Sequence, residues 1–295
     1  MISRRAALTG AAALGIASLA SPFAGATLRR SRAELNLTDV TVARELARDY
    51  AGTLERVAAL GHRRFGFRLS GYGGPSADEP MPQDKARMVR AAKMEVGVVR
   101  LGVRNANHDL QLRQAVDIGA KIVAMTTAPV FIAGRQLGQT TRAAFDGWLP
   151  QLARLGERAA SLGLTLAYHN HWYDFTPLDG ERPFDLMARA IPPQTLSFEV
   201  DLAWAWFGGQ DPLALIKALG PRVVSLHLKD IDRRRGKSPT DKAVPVGQGE
   251  MDYAAILPRL AAITSALGYV EVDTSPDGIA AAQQAADFIT AISRR

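Results

Sequence analysis

The chain contains no cysteine. Disulfide staples and thiolate metal sites are therefore excluded, and any bound metal must be held by His, Asp, Glu or water. Histidine is itself scarce, at five residues in 295. No linker rich in Pro, Gly or Ser divides the chain, and no repeat of short period is evident. No run has the roughly 20 apolar residues that a bilayer span requires, so a permanent membrane anchor is not expected. A glycine-rich phosphate loop is missing after the first convincing strand-like run, which argues against an open nucleotide-binding sheet. The glycines of "SGYGGPSADE" lack that spacing and an obvious following helix start.

What is present begins with a leader. "MISRRAALTGAAALGIASLASPFAGA" has Ser3-Arg4-Arg5, an apolar core from Ala6 to Ala20, and Ala24-Gly25-Ala26. These are the charged region, apolar region and small-residue cleavage site of an export signal. Paired arginines ahead of the apolar run are the twin-arginine form, which exports folded proteins. Residues 1–26 are thus expected to be a signal peptide, 27–34 a flexible start of the mature chain, and 35–295 one folded domain. The expected location is periplasmic or otherwise exported, with the twin-arginine machinery as a partner. Loss of Arg4 and Arg5 with the leader lowers the formal charge from +7 to +5. The remaining excess sits in short clusters such as "HRRF" and "DRRRGK", which read as solvated faces, and no nucleic-acid partner is expected. Self-association into a homo-oligomer is compatible with the sequence.

Short apolar runs alternate with amphipathic, alanine-rich segments. The strand candidates are "LNLTDV", "RRFGFRLS", "VGVVRLGV", "AKIVAMTT", "LTLAYHNH", "TLSFEVDLA", "RVVSLHLKD" and "YVEVDTS". Helical patterns such as "GTLERVAALG", "LQLRQAVDIG" and "YAAILPRLAAITSALG" end in Leu-Gly or Ile-Gly, where glycine can stop a helix in the left-handed conformation. Strands alternating with helices imply parallel pairing through right-handed crossovers. Eight such runs point to a single (β/α)8 TIM barrel, with an open doubly wound sheet as the alternative.

Active sites of such barrels lie at the carboxyl ends of the strands. With a period of two, the fifth run puts His169 and His171 on one face and the sixth puts Ser197, Glu199 and Asp201 together. The seventh aligns Ser225, His227 and Lys229, and the eighth Tyr269, Glu271 and Asp273. Burying so many ionisable groups is costly unless a partner satisfies several at once, and a divalent cation does so. His169 or His171 alone would read as a hydrogen-bonded strand-end histidine. Ionisable groups gathered at four strand ends together point instead to a shared divalent cation. His108, in "NANHD", reads as a loop or helix-cap residue, and "GQGE" as an ordinary turn.

The motifs "LAYHNHWYDF", "EVDLAWAWFGGQDP", "VVSLHLKDID", "VPVGQGEMDYAAIL" and "VEVDTSPD" resemble the sugar phosphate isomerase/epimerase group of the xylose-isomerase-like barrels. The resemblance runs, with gaps, from about Asp49 to the C-terminus. It implies one divalent cation held by a group from each of the last four strands, carrying Asp201, His227 and Glu271 onto three positions. The fourth is usually a glutamate; here the matching residues are His169, Asn170 and His171. The His-Asn-His form resembles the branch that includes inosose dehydratases. That shifts expectation from two-base epimerisation toward one-base isomerisation or β-elimination next to a carbonyl.

The expected function is thus a metal-dependent sugar isomerase/epimerase or a lyase/dehydratase. Its substrate would be a keto-sugar, inosose or oxidised glycoside. The cation is Mn²⁺, Mg²⁺, Co²⁺ or Zn²⁺, since hard oxygens with imidazole suit all four. The expected metal ligands are His169, Asp201, His227 and Glu271, with His171 left open as an alternative to His169. Glu271 is the first choice of base, while Glu199 and Lys229 are candidates to orient substrate or protonate a leaving group. His171 and Lys229 are expected to contact substrate. Trp204, with Trp172 and Trp206, could offer a flat face to the sugar, core packing being the other reading. Asp230 and Asp273 read as groups that orient the ligands. Two further readings stay open, a sugar-binding barrel without turnover and, less favoured, a phosphodiester hydrolase with clustered metals.

Overall fold

In the computed structural model, residues 34–70, 79–103 and 107–294 are described. The expected signal peptide, residues 27–33 of the expected mature start and most of "SGYGGPSADE" lie outside the described residues.

Eight parallel strands close into a barrel. In chain order they are β1 (Asn36–Thr38), β2 (Arg64–Arg68), β3 (Glu95–Arg100), β4 (Ile122–Met125), β5 (Thr165–His169), β6 (Ser197–Asp201), β7 (Val223–Leu228) and, after a two-stranded hairpin, β10 (Leu267–Val270). The hairpin pairs β8 (Asp230–Ile231) with β9 (Ala243–Val244) in antiparallel register. Each barrel strand hydrogen-bonds its sequence neighbour, and β1 closes the ring against β10 through Leu37 and Val270. Residues Arg32–Arg295 form one compact unit. Among the described residues, no helix is long and apolar enough to cross a membrane.

Local chemistry accounts for the helix limits. Asp49, Thr141 and Asp277 cap their helices by accepting from Gly52, Ala144 and Ala280 N–H, satisfying donors that the first turn leaves free. At the other end Gly61 and Gly119 take positive φ, 92° and 74°, as the Leu-Gly and Ile-Gly pairs predict. The segment after "YAAILPRLAAI" departs from expectation. Its helix ends at Ile263, short of the glycine. Thr264 turns extended and its Oγ1 accepts from Ala266 N–H. Leu267 and Gly268, expected to finish the helix, instead start β10, so Glu271 lies just past the strand rather than inside it.

Two buried layers result. Between strands and helices lies an apolar shell that includes Phe65, Phe67, Phe184 and Phe198. Inside the barrel a small cluster of Val98, Ala124 and Tyr269 fills the lower part. The Tyr269 ring comes so close that a Cβ on Gly97 would sit 2.8 Å from it, which is why that strand carries glycine.

Candidate metal centre and active site

Above Tyr269 the inward positions of β5, β6, β7 and β10 turn polar. His169, Asp201, His227 and Glu271 each direct one ligand atom to a common region, and these atoms lie within 4.8 Å of one another. Asn170 sits between the two fifth-strand histidines on the opposite face. Its side chain donates to Asp201 O at 3.2 Å and accepts from Asp201 N at 3.0 Å, locking the two ligand-bearing strands together. Asp201 is also a helix cap, because Oδ1 accepts from Trp204 N at 2.8 Å. That leaves Oδ2 facing the cluster, 3.9 Å from His169 Nε2 and 3.7 Å from His227 Nδ1. Glu271 is fixed at both oxygens. Oε2 accepts from Thr38 Oγ1 at 2.9 Å and Arg100 at 3.0 Å, and Oε1 accepts from Lys229 at 2.8 Å.

Lys229 is fully buried with its ammonium 2.9 Å from Asp201, 2.8 Å from Glu271 and 2.7 Å from Asp273. Burial alone would lower its pKa, but these carboxylates hold it well above the ordinary lysine value. Against the upward push of burial, His227, Lys229 and Arg100 keep Glu271 well below the usual carboxylate range. Glu271 is thus held ionised, with both oxygens engaged. Burial pushes Asp273 up, as does the neighbouring Glu271 charge, against Lys229. Burial likewise opposes charge on His227, yet Glu199 and Glu271 raise it to about 9.

A divalent cation fits these residues on two counts. Buried Asp201 Oδ2 and His227 Nδ1 have no aligned hydrogen-bond partner, although oppositely charged groups lie beside them. Such orphaned atoms are costly unless something between them is ligated. The donor set agrees: two imidazoles and two carboxylates, from His169, His227, Asp201 and Glu271, converge with their ligand atoms within 4.8 Å of one another.

A cavity of about 530 Å³ opens over the cluster. His169, His171, His227, Glu271 and Asp273 line its polar side, Arg68 and Arg100 enter from β2 and β3, and Val40, Ile132, Leu137 and Trp172 give apolar wall. His171 is stacked on Tyr173 at 5.2 Å between ring centroids. Its backbone N–H is held by buried Asp174 at 2.7 Å, whose carboxyl burial pushes up to about 7. Burial, then the charges of His169 and Lys229, hold the His171 imidazole well below its ordinary pKa, so it is neutral.

Three expected roles need correction. Glu199, Lys229 and Trp204 do not line the cavity. Glu199 lies one inward layer deeper than Asp201, behind the histidines. Lys229 spends its donors on three carboxylates. Trp204 is fully buried, its ring 5.0 Å from the Lys229 ammonium, which is the core-packing reading. Trp206 lies under the Arg233 guanidinium at 3.8 Å. His108 is the first residue of a helix and not its cap, a role taken by Asn107, and its Nε2 lies 2.9 Å from Gly102 O. "GQGE" is more than an ordinary turn, because Asp230 accepts from Gly247, Gly249 and Met251 N–H. The sequence reading passed over Arg100, whose guanidinium bridges Asp39 at 2.7 Å and Glu271 at 3.0 Å. A lone charge in the otherwise apolar "VGVVRLGV" was the signal.

Comparison with known proteins adds four findings. The family model described as "Xylose isomerase-like TIM barrel" matches residues 99–292. The chain is 27% identical over 84 residues to inosose dehydratase of Lacticaseibacillus casei, covering 28% of each chain. It is 30% identical over 140 residues to the rhizopine catabolism protein MocC of Rhizobium meliloti, 43% of this chain and 42% of that one. The matches thus span less than half the length of these curated relatives. Among solved structures, a sugar phosphate isomerase/epimerase from Parabacteroides distasonis superposes with a TM-score of 0.72. It shares 20% identity, with 92% of this chain and 98% of that one covered, a likeness of fold.

Proposed function

The chain belongs to the xylose isomerase-like TIM barrel family, and from that premise we propose that it is a divalent-cation-dependent enzyme acting on a carbohydrate. The reaction begins by taking a proton from the carbon beside a carbonyl of a keto-sugar, inosose or oxidised glycoside. Isomerisation, epimerisation or loss of a leaving group follows from that step. The observation that carries the reading is the buried quartet of His169, Asp201, His227 and Glu271, of which His169, His227 and Glu271 line a substrate-sized cavity. The dehydratase and epimerase names among its relatives support it.

When bound, the cation would withdraw electron density from the carbonyl and stabilise the charge left by the departing proton, worth several kcal/mol. The rest falls to the chain. Thr38, Arg100 and Lys229 hold Glu271 still, so the ligand set is preorganised. Because both Glu271 oxygens are engaged, the proton is better taken by a cavity-lining group beyond the ligands. His171 and Asp273 stand at such positions, after β5 and β10. Arg68 and Arg100 present cationic donors to substrate oxygens from the other side.

The test is incubation of metal-loaded protein with a panel of those sugars in deuterated water, read by NMR. Deuterium at one carbon, or loss of water or aglycone, supports the enzyme. A protein that retains its metal and turns over nothing would be a sugar-binding barrel instead. Our proposal for location is export through the twin-arginine route. Fractionation after changing Arg4 and Arg5 to lysine checks it, and unaltered export would refute it.

A further inference from the structure

Both imidazoles of the quartet have a second nitrogen facing away from the ligand region, and one side chain meets both. Glu199 Oε1 lies 3.0 Å from His227 Nε2 and 3.3 Å from His169 Nδ1. The opposite nitrogens are the ones that face the other ligands: His227 Nδ1 is 3.1 Å from Glu271 Oε1, and His169 Nε2 is 3.9 Å from Asp201 Oδ2. The two rings are 4.4 Å apart between centroids, so a single carboxylate can serve both. Strand register builds this in, because His169 pairs directly with Glu199 across β5 and β6.

Glu199 differs from its acidic neighbours. Asp201, Glu271 and Asp273 share the Lys229 ammonium. No Lys or Arg among the described residues lies within salt-bridge distance of Glu199, and neither of its oxygens has an aligned hydrogen-bond partner. Its burial is complete. A buried carboxylate in that position is tolerable only if the imidazoles turn N–H groups toward it. Doing so leaves their forward nitrogens with lone pairs, the form that ligates.

We infer that Glu199 is the positioning residue of a two-imidazole metal centre, holding the rear nitrogens of His169 and His227 so that Nε2 of one and Nδ1 of the other face a cation. This rests on the metal reading proposed above. Two nitrogens and two carboxylate oxygens make the centre selective for a borderline transition cation such as Zn²⁺ or Co²⁺. Mg²⁺ and Ca²⁺ favour all-oxygen sets.

The test uses the full chain and its Glu199→Gln and Glu199→Leu variants, with Co²⁺ as the probe and its visible absorption as the readout. Wild type should bind Co²⁺ and keep it against a large excess of Mg²⁺. Glu199→Gln, which keeps shape and loses charge, should bind roughly 10- to 100-fold more weakly, the usual cost of losing such a partner. In Zn²⁺-loaded, ¹⁵N-histidine-labelled wild type, two downfield imidazole N–H protons should be present. They should shift in Glu199→Gln and vanish in Glu199→Leu. If the leucine variant does not fold, the glutamine variant, checked by its melting curve, carries the test. Unchanged Co²⁺ affinity and unchanged N–H signals in Glu199→Gln would overturn the positioning role. Displacement of Co²⁺ by comparable Mg²⁺ would overturn the selectivity. A wild type that binds no Co²⁺ sinks the metal reading and this one together. Tight Co²⁺ binding without turnover of any sugar removes only the enzyme.

Discussion

The shell between strands and helices and the upper interior of the barrel are both buried, yet they are made of opposite materials. In the shell, Phe65, Phe67, Phe184 and Phe198 interlock with aliphatic neighbours and need no particular partner. In the interior, Lys229, Arg100 and the carboxylates answer one another charge by charge. Apolar burial stabilises roughly in proportion to area, at about 25 cal/mol per Å². Buried ion pairs mostly offset their own desolvation. The shell therefore holds the fold, and the interior is kept for what it can bind.

The largest effect should come from the shell. Phe198→Ala removes a ring tilted against Phe184, with 4.9 Å between centroids. It should cost roughly 3–5 kcal/mol in urea unfolding, while the folded fraction binds cation as before. Altered cation affinity in that variant would break the separation. Lys229→Met attacks the interior, taking the ammonium from Asp201 and Asp273 and leaving Glu271 with Arg100. A loss of about 3 kcal/mol or more is expected without cation. Saturating divalent cation should recover much of it, and melting curves with and without the cation decide. A deficit that cation does not narrow would mean that packing, not charge, is what Lys229 supplies.

A third test returns to the shell through pH. His62 is buried near Asn36 and the last helix, and burial lowers its pKa from 6.5 to about 4. The unfolded chain therefore takes up this proton first as pH falls. The stability is fully present above about 6.5 and declines toward pH 4 by roughly 3 kcal/mol. The difference in that slope between wild type and His62→Asn, from denaturant midpoints, measures it. The smallest structural change should come at the cavity. His169→Ala should weaken cation binding by about 100-fold or more, whereas His171→Ala should leave cation and stability nearly intact and damage turnover. The reverse pattern would exchange the two roles, and full metal occupancy in both would make the pair structural.

The barrel was readable because strand alternation and Leu-Gly stops are local signals. That four side chains would converge was readable for a related reason. A period of two fixes which side chains face inward, so His169, Asp201, His227 and Glu271 fall together once the ring closes. Depth was not readable. Alternation put Glu199 and Asp201 on one face without saying that Glu199 is a layer below, out of reach of substrate. Nor could it show that Lys229 is consumed by three carboxylates, two of them from another strand end. The start of β10 was missed because "ALG" has the form of a helix stop, whereas the Thr264 hydroxyl ends the segment first. Asp273 is the converse case, seen as a helper of the ligands although it lines the cavity.

The clamp at Asp230 has a consequence for proteolysis. Its carboxylate gathers backbone donors from Gly247, Gly249 and Met251, while Ile231 and Ala243 pair across the hairpin. Both stems of the excursion between them are thereby fastened to the barrel independently of its tip. The tip carries Arg233, Arg234, Arg235 and Lys237, and the Arg234 side chain is 88% exposed. Among the described residues, trypsin should find its first substrate there. A cut at that point would leave two fragments that migrate separately in denaturing gel yet elute together, as a nicked barrel whose wall is still closed.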